Sequence, residues 1–478
     1  MLFNSFEYLI FLPIVVILYN LIPEKFKNVF LLLASLTFYS FWNVKYTFLM
    51  ILSIAITFFT GIYIDRHSDK MIKNFAVFIC FFINLGILFI FKYFNFTVDL
   101  INSAFYTNYN FEINVLLPVG ISFYTFQALG YTIDVYRGDI AAERNFVNYA
   151  LFVSFFPQLV AGPIERSTNL LPQIKKRHKF EFENLIKGLQ FLVWGLFLKL
   201  VIADRAAILV DELFNNYSKF SSFMLIIGAI LFTVQIYCDF YSYSIIAKGS
   251  AKIIGIDLMY NFREPFLSKS IVEFWRRWHI SLSTWFKDYL YIPLGGNRKG
   301  KIRKYLNLLI IFLVSGLWHG AELSFILWGL IHGLFNVFEN TLKNLNLKRK
   351  DNFLINSMRR IYTFSIVVFA FIYFRAANIF EANAYIEALI KNGNKGSLLN
   401  EFSKTNFAIA NIYPLIGGII ILIIVDILRY KEIKIWELTR KIILPIRWIV
   451  YYFFLFATII FGIYGPGFSE SAFIYFQF

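Results

Sequence analysis

The sequence predicts an all-α polytopic membrane protein, and three observations carry that prediction. Hydrophobic residues make up 58% of the 478 positions and aromatic residues 20%, against 16% charged. A soluble domain of that length could not hide so much apolar surface in one core. The apolar residues also fall in runs close to the ~20 residues needed to cross a hydrocarbon core. Finally, the Lys and Arg residues behind the net charge of +16 collect in short segments between the runs. That pattern fits orientation by positive charge and contact with membrane lipids, not binding of nucleic acid.

The candidate spans, in order, are 6–22, 29–41, 46–64, 75–94, 115–136, 149–164, 185–202, 223–243, 306–319, 323–338, 362–374, 407–428 and 444–464. The first lacks a basic leader and a small-residue cleavage site, so it reads as a retained span. No repeat or linker divides the chain, and 1–478 is taken as a single domain with a motif-bearing core at 115–340. Basic clusters follow the first and third spans and precede those at 185, 306, 362 and 444; the last but one includes Lys348, Arg349 and Lys350. The stretch 95–114, read as a loop, and the tail from Gly465 carry neither Lys nor Arg. With basic loops facing the cytoplasm, both termini face outside. The alternation closes if 115–136 and 149–164 make one net crossing, with one of the pair re-entrant or interfacial. The expected count is about eleven crossings plus that broken element.

The segment 247–304 is too polar to span and too aromatic for a solvated loop. Plotted at 100° per residue, 275–290 forms an amphipathic interfacial helix. Trp275, Trp278, Leu282, Trp285, Phe286 and Tyr289 share one face, with His279 one turn from Trp275; Arg276, Arg277, Thr284, Lys287 and Asp288 share the other. Pro293-Leu294-Gly295-Gly296-Asn297 then supplies turn residues that end it.

The chemistry begins with His319, which sits in Gly316-Leu317-Trp318-His319-Gly320 between two apolar runs. An ionisable residue at such depth points to function, and low dielectric keeps its ring neutral, the form a general base needs. Counting from Lys304, it lies roughly 22 Å along its helix, towards the outer face. A cytoplasmic donor would therefore have to reach inward on a long flexible arm. The competing reading makes His319 a structural histidine and Gly316 and Gly320 contacts between packed helices. His279 supports either packing or catalysis, and His332 reads as packing. Ser122, Tyr124, Thr125, Gln127, Tyr131, Thr132 and Asp134, and again Gln235, Asp239, Tyr241, Ser242, Tyr243 and Ser244, interrupt apolar runs. Such groups must bond to one another or line a polar interior. Cys80 and Cys238 suggest neither a disulfide framework nor a thiolate metal site. No Walker loop, dinucleotide fingerprint or Gly-x-Ser-x-Gly elbow occurs.

Several stretches together resemble the membrane-bound O-acyltransferase family. They are Phe274-Trp275-Arg276-Arg277-Trp278-His279-Ile280-Ser281, Asp288-Tyr289-Leu290-Tyr291-Ile292-Pro293-Leu294-Gly295-Gly296 and the Gly316–Gly320 motif. Leu117-Pro118-Val119-Gly120 and Phe156-Pro157-Gln158-Leu159-Val160-Ala161-Gly162-Pro163-Ile164 add to them. The likeness is greatest to the bacterial branch of alginate O-acetylases, peptidoglycan O-acetyltransferases and teichoic acid D-alanine transfer proteins. It implies a multi-helix funnel, with His319 at the catalytic-histidine position and His279 at the second active-site position. It further implies acyl transfer from a cytoplasmic thioester, acetyl-CoA or an acyl carrier protein, with no bound cofactor or metal. A serine-hydrolase-like acetyltransferase partner outside the bacterial cytoplasmic membrane is expected to complete delivery to a glycan. The run Asp239-Phe240-Tyr241-Ser242-Tyr243-Ser244-Ile245 lacks a glycine and a second aspartate usual in relatives.

The expected function is O-acylation of a cell-surface or exported polysaccharide. Arg276, Arg277, Arg298 and Lys299 are candidates for the phosphates of the donor, with lipid-headgroup anchoring as their other reading. A transporter or flippase that moves an acyl or lipid-linked sugar intermediate without making a bond is the alternative. A non-catalytic scaffold ranks behind both.

Overall fold

In apolar surroundings every backbone polar group must find an internal partner, and a helix does this within one segment. The computed structural model describes all residues except 108, 110, 114, 161, 345–351, 406, 466–472 and 475–478, and no strand occurs among the described residues. Ala161, the basic cluster Lys348, Arg349 and Lys350, and most of the tail beyond Gly465 lie outside them. The helices are α1 (Phe6–Leu21), α2 (Lys27–Ser40), α3 (Val44–Arg66), α4 (Lys70–Leu88), α5 (Phe94–Phe105), α6 (Ile121–Arg137) and α7 (Phe146–Ser154). There follow α8 (Ser167–Lys175), α9 (Phe182–Phe197), α10 (Asp204–Asn215), α11 (Ser222–Ile253), α12 (Ile271–Arg277), α13 (Ile280–Phe286) and α14 (Gly300–His319). The last are α15 (Leu323–Asn344), α16 (Phe353–Arg375), α17 (Ile379–Lys391), α18 (Leu398–Phe402), α19 (Ile412–Tyr430), α20 (Ile435–Lys441) and α21 (Leu444–Phe461). Seven helices among the described residues are long and apolar enough to cross a membrane. The chain is thus a multi-pass, all-helical membrane protein.

Several expected boundaries move. The loop expected over 95–114 is helical as far as Phe105, because a π-turn at Phe89–Tyr93 carries α4 directly into α5. A second π-turn, Leu198–Ala203, joins α9 to α10. The polar segment expected from Ala247 begins later, since α11 continues to Ile253. The run 149–164 is broken: α7 has nine residues, about 14 Å, and ends at Ser154. That is too short for a ~30 Å core.

The described residues divide into two compact units, Met1–Leu192 with Ser244–Tyr260, and Val193–Tyr243 with Asn261–Phe478. In the first, α3 and α6 meet closely: a Cβ on Gly61 would lie 2.8 Å from the ring of Tyr131. The polar residues of α6 bond locally. Gln127 donates to the Phe152 carbonyl at 2.5 Å, Tyr131 Oη accepts from the Glu143 amide at 2.9 Å, and Asp134 accepts from Ser167.

In the second unit, α14 and α15 form a hairpin whose contact surface is glycine. A Cβ on Gly316 would fall 2.3 Å from the Phe325 carbonyl oxygen, and one on Gly329 2.2 Å from that of Phe312. Backbone cannot yield as a side chain can, so these positions admit only glycine, and dispersion over the close approach holds the pair together. Lys199, Asp204 and Asp239 form a buried ionic cluster nearby in sequence terms on α9–α11. Lys199 Nζ lies 2.7 Å from Asp239 and 2.8 Å from Asp204, and the Ile474 amide donates to Asp239 Oδ2 at 2.8 Å. Asp239 is therefore engaged in a closed ion pair. Phe473 stacks on Tyr243 at 4.3 Å.

Candidate active site

The continuous amphipathic helix expected over 275–290 does not form. Trp278 and His279 interrupt it, and His279 takes the left-handed conformation, φ 43° and ψ 55°. A non-glycine residue there costs about 1–2 kcal/mol, so something must over-determine it. The preceding segment does so. Arg263 donates its amide to the Arg277 carbonyl at 2.9 Å, and Ile280 donates its amide to the Asn261 carbonyl at 2.9 Å. Helical periodicity continues through this stretch in sequence, but these tertiary bonds override it. His279 is consequently not one turn from Trp275 on a common face. The division of faces otherwise survives: Trp278, Leu282, Trp285 and Phe286 are buried, whereas Arg276 and Lys287 are exposed. The end of α13 passes through a third π-turn, Lys287–Tyr291, into the turns that precede α14.

His319 is placed differently. It is the last residue of α14, followed by the extended Gly320. The Gly316 contact sets the helix against α15, and a Cβ on Gly320 would strike the Phe325 ring at 2.1 Å. Both imidazoles are buried, His279 at 0% and His319 at 3% exposure, and their ring centres are 6.2 Å apart. Trp318 packs against both, at 5.8 Å from His279 and 4.9 Å from His319. Trp328 and Phe374 meet His319 edge-on at 5.0 and 5.3 Å, and Phe240 meets His279 edge-on at 4.6 Å. The α12–α13 region is not a spanning segment, and burial pushes the His279 imidazole down to about 3. It is a neutral ring at every physiological pH. His332 packs among Phe274, Trp275 and Trp328, as a structural residue would.

Two histidines 40 positions apart in sequence thus share one buried aromatic pocket. A pair of buried imidazoles so placed can accept a proton at one ring and donate a hydrogen bond from the other. Among the described residues no cluster of His, Cys, Asp and Glu could hold a metal ion.

The four candidate donor-binding cations are not brought together. Arg276 and Arg277 line a cavity of about 700 Å³, but Arg298 and Lys299 lie on the exposed turn before α14 and take no part in its lining. Their places are taken by Arg263, Lys343 and Arg429, which sequence reasoning missed because they come from separate elements. The cavity also holds four carboxylates, and three are already engaged. Glu264 pairs with Arg429 at 2.9 Å, Glu273 pairs with Arg277 at 2.9 Å, and Glu339 accepts the Ile271 and Val272 amides at 2.8 and 3.0 Å. Burial raises the Glu264 carboxyl, against the pull of Arg429 and Arg277. Arg277 and Arg360 lie over the Tyr430 ring at 4.8 and 5.4 Å. Glu264 and Glu432, which line the cavity, share with His279 a positive φ. Such backbone strain gathers at ligand sites.

Known proteins resemble much of this chain. The model of MBOAT, the membrane-bound O-acyltransferase family, matches residues 139–381. The chain is 39% identical over 422 residues to a Pseudomonas syringae pv. tomato protein named "Probable alginate O-acetylase AlgI", covering 86% of this chain and 80% of the relative. It is 33% identical over 426 residues to the peptidoglycan O-acetyltransferase of Helicobacter pylori, covering 82% and 80%. It is 28% identical over 279 residues to the teichoic acid D-alanyltransferase of Bacillus subtilis, covering 55% and 69%.

Proposed function

The chain belongs to the membrane-bound O-acyltransferase family, and from that premise we propose that it moves an acetyl group from a cytoplasmic thioester to a hydroxyl on an exported or cell-surface glycan. The observation that carries this reading is the pair of buried imidazoles 6.2 Å apart in an aromatic pocket. His319 takes the proton from the acceptor hydroxyl as its oxygen attacks the thioester carbonyl carbon. The carbon–sulfur bond breaks, and the proton passes from His319 to the departing sulfur. The products are an ester and a free thiol. His279 donates a hydrogen bond to the carbonyl oxygen as negative charge develops there, an interaction strengthened by its burial among aromatic rings.

The donor is coenzyme A or an acidic carrier protein bearing a pantetheine arm. Its phosphates meet Arg263, Arg276 and Lys343, which line the same cavity. Arg277 reaches that cavity two residues before His279, so one short segment serves both sites. The basic segments between the apolar runs support placement in a cytoplasmic membrane with both termini outside. The acceptor hydroxyl is that of the glycan itself or of a serine-hydrolase-like acetyltransferase outside, which completes delivery to the polymer.

The test is acyl transfer by the purified full chain, with its partner, from radiolabelled acetyl-CoA. Labelled ester and free thiol in equal amounts are expected, and wild-type turnover in His319→Ala would overturn the reading. Label reaching the far side without a new ester would instead identify a transporter.

A further inference from the structure

We propose that Asn261 is a positioning residue for the active site, because it caps α13 on behalf of His279. The first amides of any helix lack partners within it, and the residue just before usually supplies a side-chain oxygen. Asn43, Asp69, Ser270 and Asn378 each cap the helix they precede, whereas Gly120, Arg166 and Lys299 make no such bond. At α13 the preceding residue is His279, and imidazole is not a capping group. The two amides that follow it go to one residue. Ile280 donates to the Asn261 carbonyl at 2.9 Å, and Ser281 donates to Asn261 Oδ1 at 3.3 Å. Asn261 and Ser281 are 2% and 0% exposed, so water cannot stand in for the lost acceptor.

The arrangement separates two duties that one residue ordinarily combines. His279 occupies the capping position but keeps its ring for the aromatic pocket, and Asn261 supplies the oxygen. With Arg263 holding the Arg277 carbonyl on the other side, the left-handed turn is pinned before and after. Asn261 acts through His279 and touches no reacting atom.

This rests on the reading of His279 as an active-site residue, and the experiment separates the two. The full chain is labelled with ¹³C,¹⁵N-histidine and reconstituted in lipid vesicles for solid-state NMR. Its five histidines give five signals, and His279 is identified by its loss in His279→Ala. In Asn261→Ala the His279 Cα and Cβ shifts should leave the left-handed range while His319 and His332 stay in place. Asn261→Asp, which keeps the acceptor oxygen, should preserve the wild-type signal. Single-turnover transfer from acetyl-CoA should fall about tenfold in Asn261→Ala, the rate equivalent of one lost cap. In the His279→Ala background the same change should do nothing further. An unmoved His279 signal in Asn261→Ala overturns the proposal, as does a further loss of rate in the double variant. Should Asn261→Ala not fold, Asn261→Ser, whose shorter hydroxyl does not reach the Ser281 amide, carries the same readout. Wild-type transfer by His279→Ala would remove that histidine from the reaction and leave the NMR result to decide the capping.

Discussion

His319 and His279 meet in one pocket but are held there by opposite means. His319 ends a regular helix, and its position comes from what is missing: glycines that let α14 and α15 touch backbone to backbone. His279 sits where a helix is interrupted, and its position comes from added constraint: a left-handed residue bracketed by hydrogen bonds accepted by Asn261 and donated by Arg263. The first solution is made by packing and tolerates no bulk. The second is made by polar bonds and stores conformational strain. A site that must fix two small rings to within a fraction of an ångström can be built either way, and this chain uses both.

The comparison breaks most severely at the hairpin. Gly329→Val should yield no monodisperse protein, since the new methyl carbons would meet the Phe312 carbonyl, whose oxygen lies 2.2 Å from a Cβ position. Size-exclusion chromatography decides it. His319→Ala should fold normally and lose at least ~10²-fold in transfer rate, the usual contribution of a general base.

Stability orderings sharpen the contrast. At position 279 glycine should be more stable than alanine by about 1 kcal/mol, because glycine enters the left-handed region freely. At position 319, on a right-handed helix, alanine should be the more stable by ~0.5–1 kcal/mol. Thermal melts of the four variants test both signs; the same order at both positions would dissolve the distinction.

Acid provides a further probe. His279 is lowered to about 3 in the folded protein, against an ordinary 6.5, so only the unfolded chain takes up its proton between those values. Stability from this group is therefore complete above about pH 6.5 and declines as pH falls towards 3. His279→Asn should melt with a shallower acid dependence in that window. The smallest effect is expected at the cavity rim, where Arg276→Ala should raise the donor KM a few-fold at low salt and much less at high salt.

Much of this was legible in the residues. The apolar runs give the helices, and the Gly316–Gly320 motif marks His319 and its tight surroundings. The interruption at His279 was not legible, because the 100° pattern of apolar residues continues across it. Only the fold brings Asn261 to the start of α13, 19 positions away in sequence. The cavity was half legible. Arg276 and Arg277 stand out in their motif, but Arg263, Lys343 and Arg429 join them from three other segments, and no one-dimensional spacing reports such convergence. Helix ends were misplaced where polar residues continue an apolar helix, as at Asn95 and Ala247.

The π-turn at Leu198–Ala203 marks a place where this chain can lose a residue. Lys199 and Asp204 are five residues apart, which on an ordinary α-helix would put them about 140° apart in projection. They nevertheless form a 2.8 Å ion pair, because the wider turn brings positions five apart onto one side. Deleting one residue there would leave hydropathy unchanged and the helix better formed. It would also set Lys199 and Asp204 four apart, about 40° in projection, where an ion pair still forms. Homologues one residue shorter at this turn should therefore keep the lysine at 199 and the aspartates at 204 and 239.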